Sequence, residues 1–208
     1  MLNRIKKLRS TFGFTLVEVL TALAIIAVLA AVVIPSLTSK LRDSRSATIA
    51  QTTLGLSQAI AEFKRATSMY PSNLTQLTTA PIAGTTLNIC GTGNTFSSTQ
   101  ATLWRGPYTS RDITANGVVV GDATVNAGLR RVAVGSSTWI VLDIPSVEDP
   151  IAFDLETQFD GGGASSSTTG TIQWTDNSIA STTTSSLVPA ASPPWLTNLS
   201  YYIPINSC

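Results

Sequence analysis

The longest uninterrupted pattern in the chain is apolar. From Val19 to Ser39 no residue is charged, a run of 21 positions filled mostly by Leu, Ile, Val and Ala. A helix of about 20 such residues spans the roughly 30 Å hydrocarbon core of a bilayer. One carboxylate, Glu18, stands at the start of the run, where a charge is costly unless it finds a partner. Beyond Ser36 the pattern turns amphipathic. Leu37, Leu41, Ile49, Leu56, Ile60 and Phe63 recur at helical spacings, with Lys40, Arg42, Arg45, Lys64 and Arg65 on the polar side. The pattern predicts one helical rod from Phe14 to about Met69. Pro35 kinks it, because a proline ring removes one intrahelical bond and clashes with the preceding turn. Gly55 weakens its middle by roughly 1 kcal/mol relative to alanine. Tyr70-Pro71 stops it, since a residue before proline avoids helical geometry.

The periodicity then changes. A short helix is expected within 72–80, followed by a loop with Pro81, Gly84, Gly91 and Gly93. Trp104-Arg105-Gly106-Pro107-Tyr108 reads as a turn packed by its two aromatics. Gly117–Val120, Arg130–Val134, Ser137–Ile144 and Gly170–Thr175 are short, β-branched or aromatic, and bounded by turn residues. Leu199–Ile205 reads as a last strand. Together these predict an antiparallel meander packed on the helix, hence an α+β fold. Residues 146–160 carry Ile151, Phe153, Leu155 and Phe159 among acids and fit a short helix ended by Gly161-Gly162-Gly163. The Gly/Ser/Thr-rich stretch 161–186 reads as a surface hairpin with a mobile loop at 176–186.

The residues before the apolar run sharpen the picture. Residues 1–13 hold Arg4, Lys6, Lys7 and Arg9 and no acid. A basic leader ahead of an apolar helix keeps the N-terminus cytoplasmic. Ordinary signal cleavage within Ala30–Ser36 is conceivable, but Gly13 ends the leader and Glu18 interrupts the signal-like core.

Basic leader, Gly13, Phe14, Thr-Leu-Val-Glu and a long apolar helix resemble the type IV prepilin signature, shared by type IV pilins and the pseudopilins of type II secretion. The resemblance covers residues 1 to about 40. It implies cleavage after Gly13 by a prepilin peptidase, which also N-methylates the new first residue, Phe14. It makes Glu18 the hallmark carboxylate and Pro35 the proline within the long helix. It implies an assembly ATPase and an inner-membrane platform protein as further partners. The resulting division is 1–13 leader, 14–35 transmembrane or filament-core helix, 36–69 amphipathic continuation, and 70–208 globular head. The fold expected is a type IV pilin-like one. The protein would cross the bacterial inner membrane once with its head in the periplasm, then join a helical filament of its own copies or related pilins. In such a filament, pairing of Glu18 with the free Phe14 amine of a neighbour offsets the desolvation of both charges and fixes axial register. A plain signal anchor with Glu18 at the headgroup boundary is the alternative.

Cys90 and Cys208 are the two cysteines of the 208-residue chain. An oxidising compartment favours a disulfide between them over two free thiols; closing so long a loop contributes up to roughly 4–5 kcal/mol. Many type IV pilins staple their C-terminal region this way, usually around a shorter segment. The composition holds thirteen Lys and Arg, twelve Asp and Glu, and no His. Four of the bases lie in the leader, so the rest of the chain is mildly acidic and no specific nucleic-acid partner is expected. Without His, triads and most zinc sites are excluded; no catalytic residue, metal or cofactor is expected. Half of the acids, Asp143, Glu148, Asp149, Asp154, Glu156 and Asp160, fall within 18 residues. Their spacing matches no calcium loop, and a solvated acidic face is expected. Residues 36–131 carry nine bases and four acids, and 132–208 carry no base and seven acids. Such segregation suits complementary contacts between successive subunits.

Three functions remain. The first is a filament subunit. The Tyr70-Pro71 and Gly106-Pro107-Tyr108 segments resemble pseudopilins, while the disulfide and large head lean toward a pilus. The second is a minor tip pilin that binds DNA, a surface or a secretion substrate through Arg105, Arg111, Arg130 and Arg131 with Trp104 and Tyr108. The third is a bitopic or secreted enzyme behind a misleading leader.

Overall fold

The computed structural model describes residues 14–91, 93–134, 136–161, 169–174 and 196–205. The chain divides into two compact units, Met1–Leu41 and Arg42–Cys208. Helix α1, Leu16–Thr67, runs unbroken from one into the other and contains Pro35. Around the proline, the hydroxyls of Ser36, Thr38 and Ser39 donate to carbonyls three residues earlier, at 2.9, 2.9 and 3.0 Å. The described residues of the first unit, 14–41, are exposed nearly everywhere and include Leu20, Leu23, Ile25, Ile26, Val28, Leu29, Val32 and Ile34. Among the described residues, α1 is the one helix long and apolar enough to cross a membrane.

In the second unit α1 changes character. Ile49, Leu56, Ile60 and Phe63 are buried at spacings of three, four and seven, as a helix with one covered face requires. Ser68 ends the helix in a left-handed conformation (φ 62), its N–H donating to the Lys64 carbonyl at 2.8 Å. That is two residues short of the expected Met69, because the left-handed Ser68 breaks the ladder before Tyr70-Pro71 is reached. A 3-10 turn, Leu74–Leu77, capped by Asn73, fills the place of the short helix expected in 72–80. Helix α2, Ser98–Thr102, follows behind a Ser97/Gln100 capping box.

Strands β1, Gly117–Val120, and β2, Ala123–Asn126, form a two-stranded sheet. Gly117 has φ 128, and a Cβ there would run into the Val125 carbonyl, so this position takes glycine. The larger sheet holds β3, Arg130–Val134, β4, Ser137–Glu148, β5, Ile172–Trp174, and β6, Leu196–Ile205, all antiparallel, in the order β3-β4-β6-β5. The expected meander is therefore corrected. β4 pairs with the last strand, and helix α3, Asp149–Asp160, and β5 are an excursion between them. β4 outruns its expected end at Ile144 because a register shift between Ile144 and Val147, with Ser146 at φ 60, carries the pairing on to Glu148. α3 ends at Gly161 in the left-handed conformation (φ 84). Most of the stretch 161–186, including the expected loop at 176–186, lies outside the described residues.

One apolar core joins these parts. Ile49, Leu56, Ile60 and Phe63 of α1 belong to it with Leu74, Leu77, Phe96, alternate β4 residues Ile140, Leu142 and Ile144, and Ile151 and Leu155 of α3. Phe63, fully buried, stands edge-to-face with Phe96 at 5.7 Å and with Tyr108 at 5.6 Å. Phe63→Ala is expected to cost about 3–5 kcal/mol, and Val119→Ala, at a position 66% exposed, to stay within about 0.5 kcal/mol. Urea unfolding of the full-length chain in detergent compares the two; equal losses would contradict this core.

Candidate assembly site

The start of α1 is built by a local hydrogen bond. Thr15 precedes the first helical residue, and its hydroxyl oxygen accepts from the Glu18 N–H at 3.2 Å. Thr15-Leu16-Val17-Glu18 thus carries the Thr-x-x-Glu sequence of a capping box, with the threonine half of the box formed. Glu18 sits in the first turn, where the helix dipole favours a negative charge. No donor reaches its carboxylate among the described residues. Phe14 lies next to this turn and is 83% exposed. The geometry leaves the Glu18 carboxylate and the Phe14 ring both exposed. If they become buried, the carboxylate needs a cation or donor from outside the chain. Gly13 lies outside the described residues. The role of Thr15 was missed in the sequence, although the Thr-x-x-Glu spacing ahead of an apolar run signals it.

The head places the other singled-out residues. Trp104 and Tyr108 meet edge-to-face at 5.8 Å. The Trp104 indole N–H donates to the Gln76 carbonyl at 3.0 Å, and the Tyr108 N–H to the Leu77 carbonyl at 2.8 Å. The turn between them, with a cis Gly106–Pro107 peptide, is thus pinned onto the helix side of the core. The Arg105 guanidinium is held by the Thr102 and Trp104 carbonyls. Arg130 makes a two-pronged contact with Asp143, at 3.0 and 2.9 Å, and Arg131 donates to the Cys90 carbonyl at 3.2 Å. Arg130 and Arg131 are neighbours on a strand and so project from opposite faces. The strand therefore does not turn both arginines toward one surface with Trp104 and Tyr108.

The acidic cluster is not a solvated face either, and that expectation is corrected. Asp154 pairs with Arg42 at 3.0 Å, and Glu148 and Asp122 both reach Arg45, at 3.3 and 3.1 Å. Glu156 accepts from the Trp174 indole at 2.8 Å, and Asp160 accepts the N–H groups of Thr171 and Ile172 at 2.9 Å each. Asp149 is buried in the first turn of α3. Bases of the early part of the chain thus pair with acids of the late part within one head. Basic side chains on α1 and β3 meet acids on β4 and α3.

Two carboxyls respond in opposite directions. Burial by itself raises the Asp143 carboxyl, but hydrogen bonds from Arg130 and Ser200 and the Arg130 charge outweigh it and hold it below the ordinary 3.8. Burial raises Asp154 above 3.8 despite the Arg42 guanidinium beside it. Cys90 is half-buried and is not a free thiol; Cys208 lies outside the described residues.

The family model described as the prokaryotic N-terminal methylation motif matches residues 8–34. It takes in Gly13, Phe14, Glu18 and most of the exposed apolar helix. That motif is the hallmark of type IV prepilin and pseudopilin proteins, and over these residues the chain is similar to them. No curated protein and no solved structure matches the chain.

A depressed folded-state pKa contributes stability above the unfolded pKa and loses it as pH falls through the folded one. Asp143→Asn is therefore expected to lower stability at pH 7 by up to about 1 kcal/mol. The gap from the natural protein should close as pH drops below 3.8. Asp154 runs the other way, its contribution falling as pH rises above 3.8, so Asp154→Asn should cost less at pH 7 than Asp143→Asn. Melting curves from pH 3 to 7 check both, and the reverse ranking at pH 7 would contradict the assignment.

Proposed function

We propose that this protein is a structural, non-catalytic subunit of a type IV pilus or pilus-like filament. The observation that carries the reading is the first unit: an apolar helix exposed along its length, carrying the methylation motif and a carboxylate in its first turn. Before assembly the inner membrane covers that surface, with the basic leader cytoplasmic and the head periplasmic. A prepilin peptidase cuts between Gly13 and Phe14 and methylates Phe14. An assembly ATPase and a platform protein then move the subunit into a filament of its own copies or related pilins. There Glu18 pairs with the Phe14 amine of a neighbour, and Pro35 bends the rod. In the periplasm Cys90 and Cys208 form a disulfide, supported by the bonded state of Cys90 and a chain with two cysteines.

A secretion pseudopilus is the second reading. The Gly106-Pro107-Tyr108 segment that resembles pseudopilins is packed on Phe63, as part of the head's frame. A tip adhesin using Arg130 has less support, because Asp143 occupies that guanidinium.

Intact-mass spectrometry of the protein from cells with an active prepilin peptidase tests the reading. The expected species lacks residues 1–13, is heavier by one CH2 for the N-methyl group, and is lighter by two hydrogens than the reduced chain. A protein that keeps Met1–Gly13 would overturn the filament reading. A processed protein with two free thiols would overturn the disulfide alone.

A further inference from the structure

Phe14 and Thr15 are the described residues that precede α1, whose first helical residue is Leu16. The Thr15 carbonyl accepts the first full-turn bond of the helix from the Val19 N–H at 3.3 Å, and a shorter-range one from the Glu18 N–H at 3.1 Å. The Thr15 hydroxyl oxygen accepts from the same Glu18 N–H at 3.2 Å. A carbonyl that opens the ladder and a side-chain oxygen on the third N–H together define an N-cap residue, whose own backbone stands outside the helix. The cap therefore places the start of α1 two residues after Phe14.

That position bears on processing. A peptide bond inside a helix has its carbonyl engaged in the ladder and its sides covered by side chains, so peptidases cut exposed, irregular backbone instead. Upstream of Thr15, the next residues of capping type are Ser10 and Thr11. A helix started at either would carry the Gly13–Phe14 bond within its first turns, and Gly13 opposes that only as a poor helix former. We propose that Thr15 is a positioning residue for processing: its cap holds the start of α1 at Leu16 and so presents the Gly13–Phe14 bond to the prepilin peptidase outside the helix. This rests on processing at that bond. The role requires a cap, which Ser and Asn supply as well as Thr, and requires no contact between the hydroxyl and the enzyme.

The test is the rate at which purified prepilin peptidase cuts the full-length precursor in detergent, read by intact mass. The Phe14 Cα chemical shift of the uncut precursor reports independently where the helix starts. Thr15→Ala removes the cap and favours helix. It is expected to move the Phe14 shift toward the helical value and to slow cleavage roughly threefold to tenfold. Thr15→Ser and Thr15→Asn, the second a cap without a hydroxyl, are expected to keep both the shift and the rate of the natural precursor. Cleavage of Thr15→Ala at the natural rate would overturn the proposal. So would slowed cleavage of any of these variants with an unmoved Phe14 shift, which would assign the Thr15 side chain to a contact with the enzyme. Those outcomes leave processing itself intact, whereas a natural precursor that is not cut after Gly13 would overturn the processing reading and this inference with it.

Discussion

The constraint on which everything else depends is the uncovered apolar surface of the first unit. A soluble protein rarely exposes a contiguous apolar patch of more than a few hundred Å². Here a helix with no charge between Val19 and Ser39 has nearly all its large side chains exposed. Its backbone is satisfied by its own hydrogen bonds, so lipid is a suitable solvent for it. So is a bundle of like helices. Glu18 distinguishes the two surroundings. At the helix start it is tolerated by the dipole and by water or headgroups. Within a bundle it must meet a partner or lose its charge.

The second unit solves the opposite problem. It must stay folded with α1 as one wall of its core. Phe63 and its aromatic neighbours hold the far end of the helix, and Arg42 and Arg45 hold the near end through Asp154, Glu148 and Asp122. These pairs are partly exposed, so each adds little to stability. Their direction matters more, because they draw α3 and the end of β4 to one stretch of α1. The excursion through α3 and β5 is fastened in turn by Glu156 on Trp174 and Asp160 on the start of β5.

Much of this was legible in the sequence, for identifiable reasons. The helix declares itself by one long apolar run followed by periodic burial, and β1 and β3 by compact β-branched runs between turn residues. β2 went unseen because Ala-Thr-Val-Asn carries little strand signal, although the Gly121-Asp122 loop before it is a Gly-X hairpin turn. The sheet order was not legible, since the pairing of β4 with β6 joins segments about fifty residues apart and nothing local encodes it. The acids were misjudged for the same reason: their partners lie on α1, β3 and β5. At the N-terminus, Gly13, Phe14 and Glu18 stood out as a signature, whereas Thr15 acts through a single hydrogen bond that only local geometry shows.

The claim that an acid-bearing apolar helix is made to be bundled is tested most directly by mixing subunits. Glu18→Leu protein is co-produced with the natural protein in cells that assemble filaments, and the two are quantified by mass spectrometry in sheared filaments and in membranes. The account requires the variant to accumulate in membranes and to be depleted from filaments. Incorporation in proportion to its membrane abundance would contradict it, and would leave the helix a plain anchor for the head.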